Sequence, residues 1–460
     1  MTTKPVPVTQ TVQTPPSMIA KQPHNDPLYA QRTLLAVEKT SLVLQESLWD
    51  FMPEGAYRDF YLWALSNANP QRDNWMQLIG LTQIVQLTVR LLGDLVDDTQ
   101  WNWLAGFTAP FNTYLVYEVV SDNLAIGLTN NSRNPADAQR KTLLHEFNHA
   151  VCQYLGDENA RGEAVLHSLA PIAHSISSFR QSLSPGKQAG IVRAYLQQNP
   201  SVTLPDIEYS VWDLLVANFN AVTTAARQTE SFQLGGIIRH GLLQRYQTVD
   251  ALLSETRLSL EQLTSYSAYA ILLVPTIAYY LEGLARIGNL QDRLQHTVET
   301  ETLSEALLLT AILVRLLNDF GTELLLQSAD ERWELIEGLY QQLGRSNSQT
   351  LNEVLLRAAS ENSTLLTRLK KDIQHGELNL GLWYLSNVAP VSDAIMLFAH
   401  RLEYYSQQYM HYYAQLEVLL DKISTQIGDD ALSRVIARCV QFHEALYRNP
   451  YDEPEGEYAV

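Results

Sequence analysis

The segment His145-Glu146-Phe147-Asn148-His149 sets two imidazoles four residues apart with a carboxylate beside the first. On a helix, positions i and i+4 share a face one turn apart, so both rings can reach a single cation. Neutral imidazole suits zinc, and a catalytic zinc site takes three protein ligands while keeping one position for water. Glu146, slightly off the histidine face, is placed to hold that water and take its proton. Phe147 and Asn148 are uncharged, as are Leu143, Leu144, Ala150 and Val151 around the motif, which suits a half-buried helix. The spacing makes His145 and His149 the expected ligands, Glu146 the expected general base and Zn2+ the expected cofactor.

A third ligand must come from elsewhere. Gly156 is a natural helix stop and Asp157 a natural cap for a following helix, which would fold back on the first. On that second helix Glu163, His167 and His174 follow at i, i+4 and i+11, one helical face, with Pro171 between the last two. Glu163 is expected to face inward as the third ligand, with His167 supporting it. Glu158, in the first turn, and His167 itself are the rivals. Acidic residues in a first turn often serve only the helix dipole.

The run Thr142-Leu-Leu-His-Glu-Phe-Asn-His-Ala-Val151, with Gly162-Glu163-Ala-Val after it, resembles the active-site helices of the gluzincins, the thermolysin clan of zinc metallopeptidases. The resemblance covers about residues 113–175. The helical surroundings are more similar to the thimet-type oligopeptidases and Taq-type carboxypeptidases. It implies a zinc metallopeptidase, metal ligands His145, His149 and Glu163, and a peptide or protein substrate. The gap from His149 to Glu163 is shorter than in those families, and Asn148 stands where the helical peptidases commonly have glycine. An oxyanion-stabilising group is expected from the C-terminal half, with His240, Tyr269 and Tyr279 all open.

The elements that must position these residues read as mainly α-helical. Residues 1–25, rich in proline and without hydrophobic period, predict a flexible tail. A helical region over 26–105 follows. Thr113-Tyr-Leu-Val-Tyr-Glu-Val-Val120 is β-branched and aromatic, Ser121-Asp122-Asn123 is turn chemistry, and Leu124 to Thr129 is apolar again. These runs predict a small β-hairpin leading into the motif helix, which spans Ala136 to about Leu155. A metal-binding module would then cover 106–185, a C-terminal helical domain 186–445 and an acidic tail 446–460. Breaks are expected at 199–205, Gly235-Gly236, Asn289, 346–348 and Gly376.

Composition bounds the partners. The 460 residues are 46% hydrophobic and 18% charged, enough for a sizeable core. A net charge of −18 argues against nucleic acid or an anionic membrane as partner. The apolar runs Tyr269–Leu281 and Ala306–Leu317 are too short to span a bilayer. Two cysteines make no disulfide framework, and the N-terminus lacks the apolar stretch of a signal peptide, so a cytoplasmic protein is expected.

Other signals compete with the histidine motif. Arg315-Leu-Leu-Asn318-Asp319-Phe-Gly-Thr322-Glu323 resembles the second magnesium motif of class I terpenoid synthases, which hold Mg2+ and diphosphate in an all-α fold. Position 326, where that family has glutamate, is leucine. Asp94-Leu-Val-Asp97-Asp98 has the style of the first motif but lies far upstream, while Asp157-Glu158 lies at closer to the right distance. Plain helix-end chemistry is the favoured reading of Asn318-Asp319. Glu146 with His149, and Glu158 with His167, could also be ligands of a di-iron helical oxygenase. The tyrosines 404, 405, 409, 412 and 413 read as a packed stripe. A non-catalytic helical interaction protein is the remaining alternative.

Overall fold

The β-branched run at 113–120 forms the middle of a 28-residue helix, α5 (Asp98–Ala125), in the computed structural model. The structure describes residues 27–125, 128, 135–156, 162–175, 185–207, 211–254, 257–345, 348–362 and 364–448. Among them every regular element is helical, so the hairpin expected over 113–129 is not there; residues 126, 127 and 129 lie outside the described set. The physical reason is burial on all sides. Tyr114, Val116, Tyr117 and Val120 are buried and α5 has neighbours all round, so an apolar stretch without period fits a core helix. Local β preference is a weak prior that such packing overrides. The helix also runs unbroken across the boundary expected at 105/106.

Four helices precede α5: α1 (Pro27–Phe51), α2 (Ala56–Leu65), α3 (Arg72–Leu78) and α4 (Leu81–Leu92). After it come α6 (Pro135–Gly156), α7 (Gly162–Ser175), α8 (Pro185–Gln198), α9 (Val211–Thr229) and α10 (Gly235–Ser254). Helices α5, α6, α9 and α10 form a bundle. Helix α1 covers α5, and α7 lies on α6 and α9.

The C-terminal half opens with α11 (Leu260–Tyr269) and α12 (Leu273–Gly288). Then follow α13 (Gln291–Glu299), α14 (Thr302–Phe320), α15 (Thr322–Leu325), α16 (Ala329–Arg345) and α17 (Leu351–Asn362). The last three are α18 (Thr367–His375), α19 (Val391–Ile427) and α20 (Ala431–Leu446). Helix α12 is buried continuously from Leu273 to Ala285 and touches α5, α10, α14 and α20, joining the two halves. Among the described residues no single helix is long and apolar enough to cross a membrane. On α19, Tyr405 and Tyr409 are buried and Tyr404, Tyr412 and Tyr413 half-buried, a packed stripe as their spacing suggests.

Several breaks fall where the sequence puts them. Helix α8 stops at Gln198, α10 starts at Gly235, Asn289 caps α12 at φ 52° and Gly376 caps α18 at φ 64°. Gly241 has a packing role. A Cβ there would come within 2.7 Å of Pro275 Cδ, so glycine lets α10 lie close against α12.

Candidate functional site

Helix α6 is built from two faces. Leu143, Leu144, Phe147, Ala150, Val151 and Leu155 are each no more than 2% exposed and seal it onto the bundle. Phe147 meets the Tyr246 ring of α10 edge-on at 6.1 Å. The opposite strip carries Ala138, Thr142, His145, His149 and Gln153, all exposed, with half-buried Glu146 at its margin. Both motif histidines thus share the outer face of the helix, as the i, i+4 spacing requires.

Helix α10 runs antiparallel beside α6 and is tied to it at both ends. Arg239 Nε donates to the carbonyl of Leu155 at 2.9 Å, capping the C-terminal turn of α6. At the other end His145 Nδ1 lies 2.6 Å from Asp250 Oδ1, across 105 residues of sequence. With Nδ1–H donating to the carboxylate, the Nε2 lone pair of His145 points away from α10. One turn on, Gln153 Nε2 donates to His149 Nε2 at 2.9 Å, which fixes the same tautomer on the second ring. Both imidazoles therefore hold Nε2 as the basic nitrogen.

Between α6 and α10 lies a cleft of about 380 Å³ lined by Asn148, His149, Cys152, Gln153, Tyr246, Gln247 and Asp250. Burial, then the Asp250 charge, push the Cys152 thiol up to about 12, so it stays protonated and is no nucleophile near neutral pH. Asn148 is 1% exposed, and neither its amide oxygen nor its nitrogen has a hydrogen-bond partner among the described residues.

A second hollow of about 370 Å³ lies between α6 and α7, lined by Ala138, Gln139, Thr142, Pro171 and Ile172. The end of α7 is thus beside the start of α6, so α7 runs back along it. Glu163 is carried by the first turn of α7. The side chain of Glu163, and all of Glu158, lie outside the described residues. His167 is exposed, and the face of α7 turned to the core carries Leu166, Leu169 and Ala173. The inward orientation expected of His167 is therefore corrected: apolar side chains occupy that face. Among the described residues no three His, Cys, Asp or Glu side chains converge on a point that could hold a metal ion.

None of the expected oxyanion groups lines the cleft. Tyr279 is buried and donates to the carbonyl of Phe107 at 3.0 Å. The His240 and Tyr269 rings meet edge-on at 6.0 Å. Asp250 is the residue that sequence reasoning missed. Its only local signal is that it is the one acidic residue of α10.

The competing motifs are occupied by structural bonds. Asp319 is fully buried, pairs with Arg315 at 2.9 Å and accepts from the amide of Leu380 at 2.8 Å. Asn318 accepts from Arg368, Thr322 donates to the carbonyl of Glu444 at 2.7 Å, and Glu323 pairs with Arg448 at 3.3 Å. Upstream, Asp94 pairs with Arg438, Asp97 caps α5 through the amide of Gln100, and Asp98 pairs with Arg32. Inside the bundle, where a di-iron centre would need carboxylates, Glu118 instead receives both Nε and Nη2 of Arg245 at 3.2 and 3.3 Å.

No protein-family model, curated protein or solved structure matches the chain.

Proposed function

We propose that the outer strip of α6 is the metal centre of a zinc-dependent hydrolase that cleaves a peptide bond, with His145 and His149 as two of the ligands. The observation that carries this reading is the Asp250–His145 contact at 2.6 Å. A carboxylate on Nδ1 is the usual outer partner of a metal-ligating histidine: it fixes the tautomer and raises the basicity of the other nitrogen. The same nitrogen of His149, one turn along, accepts from the Gln153 amide, an exposed side chain that has to swing away before that lone pair can meet a metal. Glu163 completes the donor set in this proposal, from the first turn of α7, the helix packed along α6.

Bound zinc would polarise the scissile carbonyl and acidify a water molecule. Glu146 sits at the margin of the strip on the α7 side, where it takes the proton of the attacking water and returns it to the leaving amine. Asp250 keeps the His145 ring from rotating. The apolar inner face of α6 holds both histidines on one rigid element.

Elemental analysis of the purified protein, with turnover of peptide pools, tests the reading. Zinc near one atom per chain is expected, lost in His145→Ala and His149→Ala. Glu146→Gln should keep the metal and slow hydrolysis about 10²–10⁴-fold, the usual worth of a general base. Glu163→Ala should weaken zinc binding far more than Glu158→Ala. Full zinc retention in both histidine variants, or normal turnover by Glu146→Gln, overturns the assignment.

A further inference from the structure

We propose that the cleft between α6 and α10 is the subsite for a positively charged side chain, lysine or arginine, of the peptide that the protein binds. The proposal rests on the hydrolytic reading of the adjoining strip and deepens it by naming the substrate class. Its basis is the kind of polar atom the cleft presents. Asp250 gives Oδ1 to His145, while its Oδ2 has no hydrogen bond among the described residues and the side chain is partly exposed, so that oxygen is open to a group arriving from solution. Asn148 adds a buried amide without a partner, against the same cleft as Tyr246. A buried amide in that state costs stability unless a ligand or water satisfies it. Gln153 and Gln247 bring two more carboxamides to the rim.

Among the described residues no lysine or arginine lines the cleft. Arg245, next to Tyr246 in sequence, turns into the bundle and is engaged by Glu118. An ammonium or guanidinium group would thus meet the Asp250 carboxylate and neutral carboxamides, with no lysine or arginine among the described lining residues; the metal proposed on His149 is the one cation it has to keep clear of. An anionic side chain would meet Asp250 in a chain whose net charge is −18. A volume of about 380 Å³ is at the small end for ligand pockets, which suits one side chain better than a whole substrate. The cleft also shares His149 with the strip, so a side chain seated there leaves its own peptide bond next to the motif.

The test uses the full chain in the Glu146→Gln form, so that the probes are not consumed. Dye-labelled alanine hexapeptides with one central lysine, norleucine or glutamate are titrated by fluorescence anisotropy, and zinc content is measured on the same samples. The lysine peptide should bind about 10-fold tighter than norleucine, and glutamate weakest, with the gap narrowing as salt rises. Gln247 is exposed on the rim, so its charge can be changed without touching the core. Gln247→Lys should remove about 10-fold of the lysine affinity and spare the norleucine peptide, while Gln247→Glu should widen the preference. Gln407→Lys, an equal charge change on remote α19, should do neither. Equal binding of the three peptides, no binding, or equal losses from the two lysine variants overturns the subsite. Absence of zinc with the lysine preference intact would instead remove the hydrolytic centre and leave the subsite standing.

Discussion

The outer strip of α6 and the interior cluster around Asp319 are built from similar materials, and they are used in opposite ways. In the interior, Asp319 and Asp372 are closed off from solvent and each is held by an ion pair and hydrogen bonds, although Asp372 Oδ1 has only its ion pair with Lys371. Arg315 reaches Asp319 and the carbonyl of Leu378, and Asn379 donates to the Asp319 carbonyl and to Asp372 Oδ2 at 2.8 and 2.6 Å. Burial pushes the Asp319 carboxyl up to about 6 against the pull of Arg315, and it raises Asp372 as well. On the strip, His145 is 54% exposed, its partner Asp250 30% exposed, and each makes one side-chain hydrogen bond among the described residues. Buried charges paired within the protein fix helices in place. Sparsely bonded ones on a rigid helix have capacity left for something that arrives from solution.

The comparison breaks first at Arg315. Removing a cation that leaves a buried carboxylate uncompensated costs about 3–5 kcal/mol. Arg315→Met should therefore lower stability by about that amount in denaturant unfolding while leaving zinc content and peptide binding unchanged. A loss of metal with normal stability would place the Asn318-Asp319 motif in the functional machinery after all.

His443 of α20 sharpens the picture of the interior. It is 8% exposed and its Nδ1 donates to the carbonyl of Cys439 at 2.7 Å. Burial brings its pKa down to about 4 from 6.5. A depressed folded value means that its contribution is fully present above pH 6.5 and is lost as pH falls through 4, because protons then favour the unfolded chain. The limit is about 3 kcal/mol. Asp319, whose folded value is raised, acts in the opposite sense: its contribution is present below the ordinary carboxylate range and fades as pH rises through 6. The two therefore oppose each other in the native protein, and the difference between chains isolates one of them. The stability of His443→Gln relative to the native chain should rise by up to about 3 kcal/mol from pH 6.5 to 4. A difference that stays flat over that window would contradict a neutral buried imidazole.

These contrasts also mark what the sequence made legible. Helix ends were readable at Asn289 and Gly376, because a positive φ selects those residue types. The shared face of His145 and His149 was readable from four-residue spacing alone. The run 113–120 misled because side chains buried on every side of a helix leave no period to detect, and their β-branched and aromatic types then point to a strand. His167 was expected inward, yet Leu166 and Leu169 compete better for a core-facing position. Asp250 was beyond reach, since nothing local tells an acid on α10 that its partner is 105 residues away.

The smallest expected effect, and the one that separates the two regions best, is at Asp250. A contact between two partly exposed groups contributes about 0–1 kcal/mol to stability, because water competes for both partners. Asp250→Ala should therefore unfold within about 1 kcal/mol of the native chain, in contrast to Arg315→Met. Its effect on metal should be much larger than its effect on folding. Without the carboxylate the His145 ring loses its fixed tautomer, and Nε2 becomes a poorer and less oriented donor. Zinc affinity, measured by competition with a chromogenic chelator, should fall about 10- to 100-fold, the usual loss for an outer partner of a ligating histidine. Asp250→Asn retains an acceptor for Nδ1–H but not the charge, so it should fall between the native protein and Asp250→Ala. Combining either change with His145→Ala should add little further loss of zinc, since the carboxylate bears on the metal only through that ring. If Asp250→Ala left zinc affinity intact, the 2.6 Å contact would be a surface ion pair like many others, and the strip would lose the feature that distinguishes it from the buried interior cluster.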